Sequence, residues 1–294
     1  MKHIFIILSI LAASLTATAQ EKNFFQLPII PDSLQLLQDR TDFMVEHYWD
    51  FCDLKKAFSS RDKMAEAFDT YLSFMPYASA DVVYTSVDNF MNKISKNGKN
   101  VLFIGELAEQ KLYSDSAAFQ SDELFLRFAN AVVNNKKVDK TAKLRYQHLV
   151  NILSNSQPGM IAPSFEYTDI FNVEGKFAVD TTKVCTILFF NDPECTDCNL
   201  ARIRLDADVM TRRLVADKRV DIVSIYASEP NQEWIELAMN YPKEWLTVAS
   251  EEVNELYDMR HTPTFYILNP NGAIVLRTYS VDDIITIMTR LNQY

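Results

Sequence analysis

The spacing of hydrophobic residues changes near residue 157 of this 294-residue chain. Before that point, apolar side chains recur at intervals of three and four, which is the period of an amphipathic helix. After the segment QPG at 157–159, short runs of β-branched and aromatic residues alternate with helical stretches. The sequence therefore predicts an all-α region at 24–156, followed at 157–294 by an α/β domain with a mixed sheet and helices on both faces.

Local signals predict the bounds of individual elements. Asp32, after Pro31, is a candidate N-cap for the first helix. Further helices are expected at 80–96, 100–113, 121–135 and 139–155. In the α/β region we expect one helical run from Cys195 to about residue 217. The segment NPNG at 269–272 predicts a β-hairpin, because Asn-Gly is favoured in tight turns.

The N-terminus has the pattern of a secretory signal peptide at residues 1–19. Lys2 precedes an apolar stretch at 4–15, and Ala-Thr-Ala at 17–19 resembles a cleavage site. An uncleaved membrane anchor is the alternative, although the stretch is short for a bilayer span. Since no later run of 18 apolar residues exists, we expect export and no membrane-spanning segment after cleavage.

The charge balance disfavours nucleic acid as a partner. The formal net charge is -10, and the sequence has no long basic run. Phosphate backbones are bound by clustered lysine and arginine side chains. We therefore expect no nucleic-acid partner.

The segment FFNDPECTDC at 189–198 places Cys195 and Cys198 after an apolar run and at the start of a predicted helix. Three interpretations compete: a redox dithiol, part of a metal site, and a structural disulfide. A structural zinc site normally needs four ligands. Cys52 and Cys185 resemble core residues in separate elements, so a copper site made by Cys195, Cys198 and His261 is the metal alternative. A disulfide over so small a loop would stabilise the fold little.

The redox interpretation has support from the predicted local structure. A thiolate at the first turn of a helix faces unpaired N–H groups and the positive end of the helix dipole. Cys195 would be the attacking sulfur. Cys198, one turn further along, could then attack the mixed disulfide.

Three segments together resemble a thioredoxin-like domain of envelope thiol-disulfide oxidoreductases: GMIAPSFEYTD at 159–169, FFNDPECTDC at 189–198 and RHTPTFYILNPNGAIV at 260–275. The resemblance implies that Pro263 is a cis-proline beside the dithiol, and that the backbone of Thr262 pairs with an extended substrate. It also implies protein substrates with thiols or disulfides, a membrane-linked electron donor, no cofactor, and the periplasm or cell envelope of a Gram-negative bacterium.

Residues 24–156 resemble a helical domain of unknown function that precedes thioredoxin-like domains in bacterial envelope proteins. The segments HYWDFCDL at 47–54 and LYSDSAAFQSDELFLRFANAVV at 112–133 carry this resemblance. It implies a helical fold and no particular activity.

The sequence departs from the oxidoreductase pattern around the thiols. Glu194 replaces an aromatic residue, Thr196-Asp197 separates the cysteines, and Phe189 replaces a buried carboxylate. A carboxylate at about 6 Å in a water-like dielectric opposes a thiolate by roughly 0.7 kcal/mol. Asp192, Glu194 and Asp197 should therefore offset much of the effect of the helix terminus, with Glu194 and Asp197 tuning the dithiol toward a reductant.

The sequence thus predicts an exported thiol-disulfide oxidoreductase that uses Cys195 and Cys198, with Thr262 and Pro263 presenting the substrate. Two alternatives stay open. One is a binding scaffold with a redox-inactive dithiol, and the other is a copper-handling dithiol protein.

Overall fold

The computed structural model describes residues 25–114 and 116–292. The predicted signal peptide at 1–19 lies outside the described residues. Contacts divide the described chain into two compact units. The first runs to Lys111 and includes Asn135–Lys137, and the second comprises Leu112–Asn134 and the residues from Val138 onward. This division comes earlier than the change from helices to strands, so an independently folding domain from residue 157 stays a prediction.

The first unit is built from helices. These are α1 (Leu37–His47), α2 (Leu54–Ala57), α3 (Arg61–Phe74), α4 (Ala80–Ile94) and α5 (Gly98–Ala108), with a 3-10 turn at Met75–Tyr77. A π-helical turn at Glu109–Tyr113 follows α5, and its last two residues belong to the second unit.

The start of α1 differs from the prediction. Asp32 does not cap this helix, because the Leu34 N–H donates to the carbonyl of Pro31 (3.1 Å) and closes a separate turn. Leu36 is extended and occupies the N-cap position.

Buried aromatic side chains form much of the core of the first unit. The rings of Trp49 and Phe90 stack with centroids 4.2 Å apart. Tyr71 shares a hydrogen bond with the Ser86 hydroxyl (2.7 Å), and the Tyr48 hydroxyl donates to a backbone carbonyl of α3 (2.7 Å). These four aromatic side chains are therefore packing residues of the first unit.

The second unit contains two helices and then the sheet domain. Its helices are α6 (Asp122–Asn134), α7 (Lys140–Asn155), α8 (Thr196–Ala207), α9 (Val209–Ala216), α10 (Gln232–Ala238), α11 (Val253–Leu256) and α12 (Val281–Leu291). Its strands are β1 (Glu166–Asp169), β2 (Glu174–Lys176), β3 (Cys185–Phe190), β4 (Val220–Tyr226), β5 (Leu246–Ala249), β6 (Thr264–Leu268) and β7 (Ile274–Thr278).

The seven strands form one mixed sheet in the order β2-β1-β5-β4-β3-β6-β7. Strand β3 is parallel to β4 and antiparallel to β6, and β4 is parallel to β5. The predicted hairpin joins β6 to β7. Gly272 closes its turn with a φ of 80°, a conformation that glycine adopts without steric cost.

Both faces of the sheet are covered, as predicted. Apolar side chains of α8, α9 and α12 pack against one face, where Ile187 and Phe265 lie in the same cluster. The other face buries Leu188 and Tyr266 with Val253 of α11. All six residues of β3 are buried, so the loop that follows this strand starts from the core of the sheet.

The helical run predicted from Cys195 to about 217 is two helices. Asp208 is extended, and its carboxylate accepts hydrogen bonds from the backbone N–H and the hydroxyl of Thr211, both at 2.8 Å. These bonds satisfy an N–H group at the start of α9 that would otherwise lack a partner. Asp208 therefore ends α8 and caps α9.

Candidate active site

The sheet register brings the dithiol and the Thr262–Pro263 segment together at one end of the adjacent strands β3 and β6. Phe190, the last residue of β3, pairs with Thr264, the first residue of β6. The chain leaves β3 into the 191–195 loop at the point where Thr262 and Pro263 lead into β6. The Thr262–Pro263 peptide bond is cis.

Cys195 is the N-cap residue of α8 and is half-buried. Its Sγ accepts a hydrogen bond from the Cys198 backbone N–H (3.1 Å). The same sulfur, as a thiol, donates to the carbonyl oxygen of Thr262 (3.8 Å). An N–H donor and the N-terminus of α8 therefore both lie at this sulfur. The predicted nucleophile and the predicted substrate-presenting backbone are therefore adjacent.

Cys198 is enclosed by the protein. It is 2% exposed, and burial raises the pKa of its thiol to about 12, to which the adjacent Cys195 sulfur adds. A backbone N–H of Asp192 acts in the opposite direction. At neutral pH Cys198 is therefore a thiol, while its place one turn along α8 leaves it within reach of Cys195.

A polar network at the end of β3 was not predicted from the sequence. The side-chain amide of buried Asn191 donates to the Phe189 carbonyl (2.9 Å) and the Ser224 hydroxyl (2.8 Å). Its oxygen accepts from the Tyr241 hydroxyl (3.2 Å), and the Arg202 guanidinium lies 4.7 Å from the centroid of the Tyr241 ring. A polar residue directly after a buried strand was the one sequence signal for this network.

The acidic residues of the loop differ in exposure. Glu194 and Asp197 are exposed, and Asp192 is half-buried. The Asp192 carboxylate accepts the Glu194 N–H (2.8 Å), which shapes the loop before Cys195. Exposed charges are screened by solvent and salt. The effect of Glu194 and Asp197 on the reduction potential of the dithiol therefore stays a prediction, and we expect it to be modest.

Phe189 occupies the position where the resemblance implied a carboxylate. Its side chain is fully buried, and its ring stacks on Phe265 with centroids 4.8 Å apart. Proton transfer at Cys198 therefore has no help from a carboxylate at that position.

The other two cysteines belong to other segments of the chain. All four cysteines are unpaired. Cys185 is buried in β3, where burial and then Asp221 raise its pKa to about 12. Cys52 is half-buried rather than a core residue, because it lies in the turn after α1, where its N–H donates to the Trp49 carbonyl (3.4 Å).

The structure does not assemble the copper site considered above. Within 25–114 and 116–292, no three side chains of the His, Cys, Asp or Glu type are grouped as metal ligands. The His261 ring packs edge-on against Tyr279, with centroids 4.4 Å apart.

Comparison with known proteins places the fold. A thioredoxin-like protein from Bacteroides caccae superposes with a TM-score of 0.73 at 21% identity, covering 93% of this chain and 99% of that one. A conserved protein of unknown function from Bacteroides fragilis has a TM-score of 0.42 at 26% identity, covering 45% of this chain and 99% of that one. The thioredoxin domain of a thiol-disulfide oxidoreductase from Bacteroides vulgatus has a TM-score of 0.39 at 18% identity, covering 46% of this chain and 97% of that one.

No curated protein is significantly similar in sequence. None of the described helices is both long and apolar enough to cross a bilayer. Residues 11–156 match the family model of a domain of unknown function, DUF5106. The chain has a thioredoxin-like fold, preceded by a helical region that matches DUF5106.

Proposed function

We propose that this protein is an exported thiol-disulfide oxidoreductase that reduces protein disulfides through Cys195 and Cys198. The observation that supports it best is the position of the Cys195 sulfur. It accepts the Cys198 N–H at 3.1 Å and lies 3.8 Å from the Thr262 carbonyl, beside a cis peptide bond. A nucleophile at a helix N-terminus then faces a backbone segment that an extended peptide could contact.

The reaction would proceed in two exchange steps. The Cys195 thiolate attacks one sulfur of a substrate disulfide, forming a mixed disulfide and releasing the other substrate sulfur as a thiolate. Cys198, after losing its proton, attacks the Cys195 sulfur and releases the second substrate thiolate. The substrate gains two electrons and, on protonation, two protons, while the protein is left with a Cys195–Cys198 disulfide bond.

Export and electron supply complete the proposal. The signal-peptide pattern at 1–19 supports a location in the periplasm or cell envelope of a Gram-negative bacterium. The oxidised protein must receive two electrons before it can act again. We propose a membrane-linked donor for this step, because the cytosolic thiol pool does not reach that compartment.

Cysteine substitutions test the reaction. The reduced protein is mixed with a peptide that contains one disulfide, and released thiols are followed by time. We expect Cys195→Ser to abolish release, and Cys198→Ser to stop at a mixed disulfide on Cys195, detected by mass. The control, Cys185→Ala, removes a buried thiol of the same domain and should react as wild type. Release by Cys195→Ser at the wild-type rate would exclude the proposal.

Other outcomes would favour the two alternatives. A folded, reduced wild-type protein that releases no thiol from the peptide supports the scaffold alternative. Tight Cu(I) binding by the reduced protein, lost when Cys195 and Cys198 are both replaced, supports the copper alternative.

A further inference from the structure

Four charged side chains form a closed cluster next to the cis-proline segment. Arg260 and Arg277 each contact the carboxylates of both Asp122 and Asp258. The Arg260 guanidinium lies 2.5 Å from an Asp258 oxygen through Nη2 and 3.1 Å through Nε. The cluster therefore contains two positive and two negative charges, and each arginine bridges both aspartates.

The cluster is largely removed from solvent. The side chains of Asp258 and Arg260 are 1% and 9% exposed, and those of Arg277 and Asp122 are 14% and 17% exposed. A charge in such surroundings is stable only while its partner is in place. Each member therefore constrains the positions of the other three.

Arg260 is also fixed by residues that lie far away in the sequence. Its Nη1 donates to the Tyr113 carbonyl (3.0 Å), and its guanidinium lies 3.8 Å from the centroid of the Tyr113 ring. Asp122 is 138 positions before it. These contacts come from the end of the π-helical turn at Glu109–Tyr113 and from the first turn of α6.

The backbone of Asp258 is also held by hydrogen bonds to distant residues. Its N–H donates to the Ser156 hydroxyl (3.1 Å), and its carbonyl accepts from the Tyr266 hydroxyl of β6 (2.8 Å). The chain from Asp258 to Pro263 is thus anchored at positions 258 and 260. Two residues after Arg260, the Thr262 carbonyl faces the Cys195 sulfur.

We propose that Asp122 is a positioning residue for the substrate-presenting backbone at Thr262–Pro263. Through Arg260 and Arg277, its carboxylate fixes the 258–263 segment and so aligns the Thr262 backbone with Cys195. Asp122 falls inside the region that matches DUF5106. The last part of that region would then serve recognition of the substrate by the thioredoxin-like fold. This inference rests on the proposed oxidoreductase function.

The test is Asp122→Asn in the full mature chain, with Glu123→Gln as its control. Both substitutions remove one negative charge from the first turn of α6, but Glu123 is exposed. Three quantities are compared: the rate of peptide-disulfide reduction, the rate at which dithiothreitol reduces the Cys195–Cys198 disulfide, and amide hydrogen exchange across 258–264.

For Asp122→Asn we expect peptide reduction to slow at least tenfold, exchange across 258–264 to accelerate at least tenfold, and the dithiothreitol rate to stay within twofold of wild type. A peptide needs the Thr262 backbone in place, whereas a small dithiol needs only access to the sulfurs. Glu123→Gln should match wild type in all three. Wild-type peptide reduction and exchange in a folded Asp122→Asn protein would overturn the proposal, as would an equal loss with dithiothreitol.

A second variant and the exchange measurement keep this test decisive. If Asp122→Asn does not fold, Arg277→Lys replaces it, because lysine keeps the charge but cannot bridge two carboxylates in the same way. Arg277→Lys must then show the same pattern, and wild-type behaviour would overturn the proposal. If the wild-type protein reduces no peptide disulfide, the proposed function fails, and the exchange comparison alone decides whether Asp122 positions the segment.

Discussion

Cys195 and Cys198 are the same residue type three positions apart, yet the structure gives them different environments. Cys195 is half-buried at the helix N-terminus and accepts an N–H bond, whereas Cys198 is enclosed. Such a difference supports the proposed roles, in which the first sulfur attacks and the second resolves. The spacing in the sequence indicated this order, but the enclosure of Cys198 depends on side chains from other elements.

The resolving step should depend steeply on pH. Burial raises the pKa of Cys198 to about 12, so its thiolate fraction grows about tenfold for each pH unit below that value. We expect the loss of a preformed mixed disulfide on Cys195 to accelerate about tenfold per unit between pH 7 and pH 9, measured by rapid acid quench and mass analysis. A rate that is flat over this range would show that Cys198 already ionises near neutrality.

Asn191 should be important for stability. Asn191→Ala leaves the Ser224 and Tyr241 hydroxyls without their bonds to this side chain in a buried site. We expect a loss of about 3 kcal/mol in the free energy of unfolding, since each unsatisfied buried group costs about 1–3 kcal/mol. Tyr241→Phe removes one of these bonds and should cost about 1 kcal/mol. Urea unfolding measures both, and a loss below about 0.5 kcal/mol for Asn191→Ala would contradict the network.

The sequence predicted which segments are helical better than it predicted where each helix begins and ends. Helical spacing identified α4 to α7 within a few residues, because one face of each helix is buried and repeats. Caps depend on single side chains that compete with nearby turns, so Asp32 was wrongly assigned and Asp208 was missed. Asp208 lies between two amphipathic stretches that read as one continuous pattern.

The break between α8 and α9 can be tested at Asp208. Asp208→Ala removes the cap bonds to Thr211, and we expect about 1 kcal/mol of destabilisation, the usual effect of losing an N-cap. Asp206→Ala removes an exposed aspartate from the last turns of α8, where a negative charge faces the unfavourable end of the helix dipole. This control should be neutral or slightly stabilising. Equal losses in thermal unfolding would argue against a specific cap.

At the scale of the whole molecule, the fold class was predictable and the charge cluster was not. Three ordered segments indicated a thioredoxin-like fold, which the similarity to the Bacteroides caccae structure confirms. Asp122 and Arg260 are 138 positions apart, and no local pattern predicts that two such residues meet. The compact units likewise depend on long-range packing, so residues 112–134 join the sheet domain although their spacing is purely helical.

The division into compact units predicts how fragments behave. A fragment of residues 112–294 retains Tyr113, Asp122 and Ser156, which contact the 258–260 segment. A fragment of residues 157–294 lacks these three partners. We expect the shorter fragment to melt at least 5 °C lower, since about 1 kcal/mol shifts the midpoint by several degrees at this size. Equal midpoints in thermal circular dichroism would place the stable unit at residue 157 instead.

The proposed function requires Cys195 and Cys198 to form a working redox couple. The most direct test is the reduction potential of the mature protein, measured by equilibration against glutathione and dithiothreitol buffers. We predict a reversible two-electron transition between roughly -270 and -180 mV, the range of thioredoxins and isomerases, with a value near the lower end if the protein is a reductant. A disulfide that stays oxidised below about -300 mV, or two thiols that never pair, would rule out a working redox couple.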